Sequence, residues 1–397
     1  DKRATELKAR RDELLSSLAE KANSDPALAL ALGVAYLQSG DGEKAEPLLR
    51  KAAEARPNEP EPTFQLAKAL AKQGKLDDAI VQLKKAREIG GARIDIGFEL
   101  ARTYELANRD SLASELYTTL LATPDLGVEY RGHACRFFGR TGAVEKAAAE
   151  GDAIFKLDPK NPAGLYCRGE GLLLRKKADV ARSQFLQAVA ADPNAQYLDA
   201  QGRAAELLVE QSGDTKFFEE AIRVYQLAHT SAPTMINPLI GQGRVYVARK
   251  EWSKAIEVLG KADALKHDDA EIALLMGLAA EALNQKPDAI IWLGRANALK
   301  PRADTAWRLG NLYFDTNDTG RAKPTLYQAI SLGLAEEKAV GTPLPWITDA
   351  YYEVGYIEDL LGNAGAARDA WTTYVHRQPK AGPQLKSVQQ ALYTRLK

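Results

Sequence analysis

The groups able to do chemistry in this 397-residue chain are four histidines, two cysteines and scattered carboxylates and hydroxyls. His133, His229, His267 and His376 share no helical turn, and none lies at metal-ligand spacing from a cysteine, so they do not form a zinc set. The run Asp315 to Gly320 superficially resembles a calcium loop but lacks the glutamate that closes its span. The sequon Asn317-Asp318-Thr319 falls in the same turn. Gly241-Gln242-Gly243 lacks the third glycine of a dinucleotide loop and is read as helix packing. No serine or cysteine has a recognisable base partner, which leaves no catalytic, cofactor-binding or metal-binding residue to name. For Cys135 and Cys167, buried free thiols are the leading expectation. The alternative is a bridge between neighbouring helices, which needs an oxidising compartment.

Composition narrows the class further. Lys+Arg and Asp+Glu are both 53, so the net charge is zero and the surplus that a general nucleic-acid binder needs is missing. Hydrophobic residues are 45% and charged residues 27%, which suits a folded chain. No run of apolar residues is long enough to span a membrane. Two cysteines exclude a disulfide scaffold. The chain begins at Asp1 without a signal-like segment, and the localisation is left unknown, with the cytoplasm favoured slightly over the periplasm.

What organises these residues is an internal period. The strings GVAYLQSGDGEKAEPLLRKAAEARP from Gly33 and GRVYVARKEWSKAIEVLGKADAL from Gly243 share one skeleton. On a 34-residue frame, starts fall at Pro26, Pro60, Ile94, Val128, Pro162, Gly202, Ile236, Ala270, Ala303 and Thr348. Position 20 is then alanine ten times, from Ala45 to Ala367, although alanine is only 66 of 397 residues. Proline ends six frames: Pro57, Pro159, Pro193, Pro233, Pro301 and Pro379. Apolar residues recur at helical spacing within a frame, so each frame predicts two helices joined by a polar turn such as Ser39 to Gly42. One such pair cannot bury its apolar stripe alone, whereas a stack can.

This pattern resembles the tetratricopeptide repeat family over residues 26–379. The resemblance implies an all-α, right-handed superhelical solenoid of ten antiparallel helix pairs. Residues 1–25 form a charged capping or linker helix with Leu7, Leu14, Leu15 and Leu18, and 380–397 a C-terminal capping helix. Two insertions interrupt the frame, near 196–216 and 333–347. Gly151 departs from the pattern by standing where a large apolar residue is usual, with Phe137 and Phe138 nearby as compensation.

The resemblance also implies that positions 2, 5, 9, 12 and 13 of each first helix line a concave groove for a partner peptide or helix. Here those positions give Phe64, Lys68, Lys72, Phe98, Arg102, Arg136, Arg140, Tyr166, Glu170 and Arg244, followed by Asp304, Trp307, Asn311, Phe314, Asp349, Tyr352, Tyr356 and Asp359. The middle repeats lean basic, the last ones acidic and aromatic, a polarity that orients a partner. Trp346 is read as a binding aromatic in the loop of the second insertion. The carboxylate clamp of chaperone-binding relatives is not matched, because Leu30, Val34, Gln65, Asp95 and Glu99 occupy its positions. The leading expectation is a non-catalytic scaffold or adaptor for protein or peptide partners, without nucleic acid. The rivals are the regulatory or docking region of a larger kinase or glycosyltransferase and a periplasmic assembly factor for secretion, pili or exopolysaccharide export. Self-association through terminal repeats or groove is a further outcome that the array allows.

Overall fold

The computed structural model describes Arg10, Leu18 and residues 21–377 and 381–394. No strand occurs among the described residues. The expected helix through Leu7, Leu14 and Leu15 lies outside them, as does Pro379. Leu18 itself packs on the first repeat's core beside Ala22 and Leu32.

The chain divides into two compact units, Asp1–Leu174 and Arg175–Lys397. In the first, helices run α1 (Pro26–Gln38), α2 (Gly42–Ala55), α3 (Pro60–Lys72), α4 (Leu76–Gly90), α5 (Ile94–Leu106), α6 (Asp110–Leu121), α7 (Val128–Arg140), α8 (Val144–Leu157) and α9 (Pro162–Leu174). The second holds α10 (Ala178–Ala191), α11 (Ala195–Ser212), α12 (Lys216–Ser231), α13 (Asn237–Ala248), α14 (Trp252–Leu265), α15 (Ala270–Ala282), α16 (Lys286–Leu299), α17 (Ala303–Asp315), α18 (Thr319–Val340), α19 (Pro345–Leu360), α20 (Ala364–His376) and α21 (Pro383–Thr394). Within each unit, consecutive helices pack as the repeating pairs of an all-α tetratricopeptide array.

Local sequence sets these boundaries. Asp25 caps α1 by accepting from the backbone N–H groups of Ala27 at 2.8 Å and Leu28 at 3.2 Å, and Pro26 takes the first helical position. Between the paired helices the frame's fifteenth residue turns left-handed every time it is a turn residue. Gly40 has φ 87° and Gly74 77°, while Lys176 has 54° and Lys250 61°. The position-20 alanines, Ala45 through Ala367, are all fully buried. Small residues opposite them bring the paired helices together. A Cβ at Gly277 would stand 2.7 Å from Leu293, and one at Gly310 2.8 Å from Leu326.

Most of each insertion is helix. The first lengthens α11 to 18 residues. The second extends α18 to 22 residues before Gly341, at φ 74°, ends it. Trp346 is therefore corrected from a loop residue to the second residue of α19, and its ring meets the space beside Gly333. The short link before α19 is fastened by Glu337, which accepts from the Leu344 backbone N–H at 2.6 Å and pairs with Arg377. At the end of the second unit, Val388 and Ala391 of α21 pack on Trp371 and Tyr374.

Cys135 and Cys167 are bonded to each other, with Cα atoms 6.2 Å apart, so the expectation of free thiols is corrected. The bond ties α7 to α9. Gly151 owes its identity to this junction: a Cβ there would lie 2.7 Å from the Arg168 backbone nitrogen and 2.9 Å from the Cys167 Cβ. The room that a large side chain fills in other repeats is occupied by the next helix, not by Phe137 or Phe138.

Candidate partner-binding site

In the first unit, the first helices of three successive repeats (α1, α3 and α5) enclose a cavity of about 540 Å³. Val34, Leu37, Ala71 and Leu106 give it an apolar floor, and Lys68, Lys72 and Arg102 supply charge. Glu99 pairs with Arg102 at 3.2 Å. The same wall continues on α7 with His133 and Arg136, whose side chains touch at 3.1 Å. Burial, and then the positive charges of Arg136 and Arg102, hold the His133 imidazole below its ordinary value, so it stays neutral beside these cations. A further cavity, about 570 Å³, opens between α4, α5 and α6, with Lys84, Arg87, Glu88 and Glu115 giving it mixed charge.

Several expected groove residues are packing residues instead. Phe64 is buried under Lys68 and Arg93, whose cationic groups sit 5.5 and 5.4 Å from the ring centre. Phe98 is buried between Tyr117 and Tyr130, with centroids at 5.6 and 4.6 Å. Tyr166 is buried against Gly139. Arg140 reaches back to Glu105 and Asp110 at 3.3 and 3.1 Å. Arg244 is held by Glu206 at 3.0 Å and Glu271 at 2.7 Å, and Glu206 also accepts from the Tyr225 hydroxyl. The three aromatics are packing residues and the two arginines are ion-paired across repeats, while Lys68, Lys72, Arg102 and Arg136 follow one another along the first helices.

In the second unit, α17 and α19 set two stripes side by side. Trp307, Asn311, Phe314 and Asp315 follow helical spacing on α17, and Trp346, Asp349, Glu353 and Tyr356 do so on α19. Trp307 stacks on Trp346 at 5.6 Å and 30°, while Phe314 meets Tyr356 edge-on at 5.6 Å and 85°. Asn311 is half-buried between these pairs, and Tyr352 packs at 5.6 Å from Tyr374. Glu353 was not among the expected groove residues. It is 7% exposed, and its Oε2 has no hydrogen-bond partner. Burial, then Asp349 and Asp315, push its carboxyl up to about 8. Asp315 is itself paired with Lys286 at 3.0 Å.

Family models for tetratricopeptide repeats match residues 37–94, 13–60 and 303–332. No curated protein matches the chain. Among solved structures, a tetratricopeptide repeat protein from Parabacteroides merdae is 16% identical, with 61% of this chain and 93% of that one covered at a TM-score of 0.46. A thermophilic TPR protein of Thermus thermophilus, TTC0263, is 20% identical, covering 47% and 98% at 0.40. Pseudomonas aeruginosa pilF is 19% identical, covering 56% and 98% at 0.45. With family matches near both ends and the same helix pair repeating between them, the chain is a tetratricopeptide-repeat protein.

Proposed function

We propose that this chain is a non-catalytic scaffold that holds an extended, acidic segment of a partner protein against the first-helix wall of its first unit. The repeat family supports a protein-interaction role in general. The observation that carries the finer reading is the 540 Å³ cavity among α1, α3 and α5, with three cations above an apolar floor and one carboxylate among them. An acidic peptide there exchanges solvated charge for paired charge and covers Leu37 and Leu106. The Cys135–Cys167 bond favours an oxidising, extracytoplasmic setting for this scaffold over the cytoplasmic one suggested by the sequence. None of the described helices is long and apolar enough to cross a membrane.

The test is fluorescence anisotropy with a labelled nonaglutamate peptide. The triple variant Lys68→Glu, Lys72→Glu, Arg102→Glu is expected to weaken binding at least tenfold while keeping its helical circular dichroism. Equal binding by wild type and variant would remove the basic wall as the site.

A further inference from the structure

The α17–α19 face carries a second chemistry. Two aromatic pairs close its ends: Trp307 with Trp346 at one, Phe314 with Tyr356 at the other. Between them Glu353 presents a carboxyl oxygen that is buried and without a hydrogen-bond partner. Asp349, one turn before it, and Asp315, on the facing helix, both act on it electrostatically. An ionised carboxylate buried without a partner is unfavourable, and two further carboxylates nearby add to the penalty, so the empty face favours the protonated group. An arriving cation that pairs with the oxygen favours the ionised form instead.

The chemistry of that arriving group follows from the walls. Among the described residues, no three acidic, histidine or cysteine side chains converge closely enough to hold a metal ion. Aromatic faces flanking a carboxylate suit an organic cation, which stacks on the rings while donating to the oxygen. Tyr356 is 47% exposed at the rim, so the face is open to an incoming chain. The second unit's face is thus opposite in sign to the basic wall of the first.

We propose that the face between α17 and α19 is a binding site for a basic peptide segment, a lysine or arginine side chain of which enters between the aromatic pairs and pairs with Glu353. This rests on reading the first-helix faces as partner-binding surfaces, and adds a second segment of opposite charge.

The probe is fluorescein-labelled nonaarginine, with the intact chain and anisotropy as the readout. Wild type is expected to bind it, and Glu353→Gln to weaken binding at least tenfold. Tyr356→Ala, a rim change that leaves the core alone, is expected to weaken it at least threefold. Glu257→Gln removes an exposed carboxylate paired with Lys261 on α14 and is expected to change nothing, separating the site from general acidity. The Lys68→Glu, Lys72→Glu, Arg102→Glu protein is expected to retain nonaarginine binding. Failure of wild type to bind, or undiminished binding by both Glu353→Gln and Tyr356→Ala, would overturn the proposal. Nonaglutamate measured on the same wild-type sample shows whether the basic wall stands independently of that result.

Discussion

Glu353 links electrostatics to stability at the scale of a single side chain. Its carboxyl ordinarily titrates near 4.5, and in the fold it is pushed up to about 8 by burial, Asp349 and Asp315. Tyr352 on its own helix also senses it, and the Lys286 ammonium reaches the group only through Asp315. Below the unfolded value both states hold the proton. Between about 4.5 and 8 only the folded state does, so stability falls as pH rises through that window, by at most about 1.4 kcal/mol per unit. Chemical denaturation at pH 5, 6.5 and 8 is expected to show this decline, and Glu353→Gln to flatten it. The shared face of Trp307, Asn311 and Tyr356 was legible because helical spacing assigns it. Glu353 was not, because a helix glutamate reads as solvated until the neighbouring helix is in place. Phe64, Phe98 and Tyr166 misled for the same reason: their burial depends on Arg93, Tyr130 and Gly139, which no single frame specifies.

Helices and turns were far more readable than the surfaces they present. The ten position-20 alanines are buried because two helices meet there, and the chain repeats that local need in every frame. Gly151 shows the limit of this logic, since its cause lies in the next repeat. Gly151→Ala places a methyl against the Arg168 backbone, which cannot rotate away, and is expected to destabilise the first unit by roughly 1–3 kcal/mol in urea melts. The turns offer the opposite change. Lys176 and Lys250 hold the left-handed backbone that Gly40 and Gly74 adopt freely. Lys176→Gly and Lys250→Gly are each expected to stabilise by roughly 0.5–1 kcal/mol, the relieved strain less the added chain entropy of glycine. Trp346 was misread because an insertion suggests a loop; Pro345 instead begins a helix, and Glu337 with Arg377 fixes the approach.

Taken whole, the molecule places its cross-link and its tryptophans in different units. Cys135 and Cys167 lie in the first, while Trp252, Trp292, Trp307, Trp346 and Trp371 are all in the second. Removing a native disulfide from a fold typically costs about 2–4 kcal/mol. Reductant is therefore expected to lower the thermal transition followed by circular dichroism more than the one followed by tryptophan emission. Matching shifts in both signals would show that the array melts as a single cooperative block.

The stacked indoles of Trp307 and Trp346 stand at one end of the face that holds Glu353. Any guest settling beside them alters the dipoles around two emitting rings, so the colour and brightness of the protein's own ultraviolet glow become a label-free gauge of occupancy. Replacing Trp252, Trp292 and Trp371 with phenylalanine would silence the background and turn the chain into its own sensor.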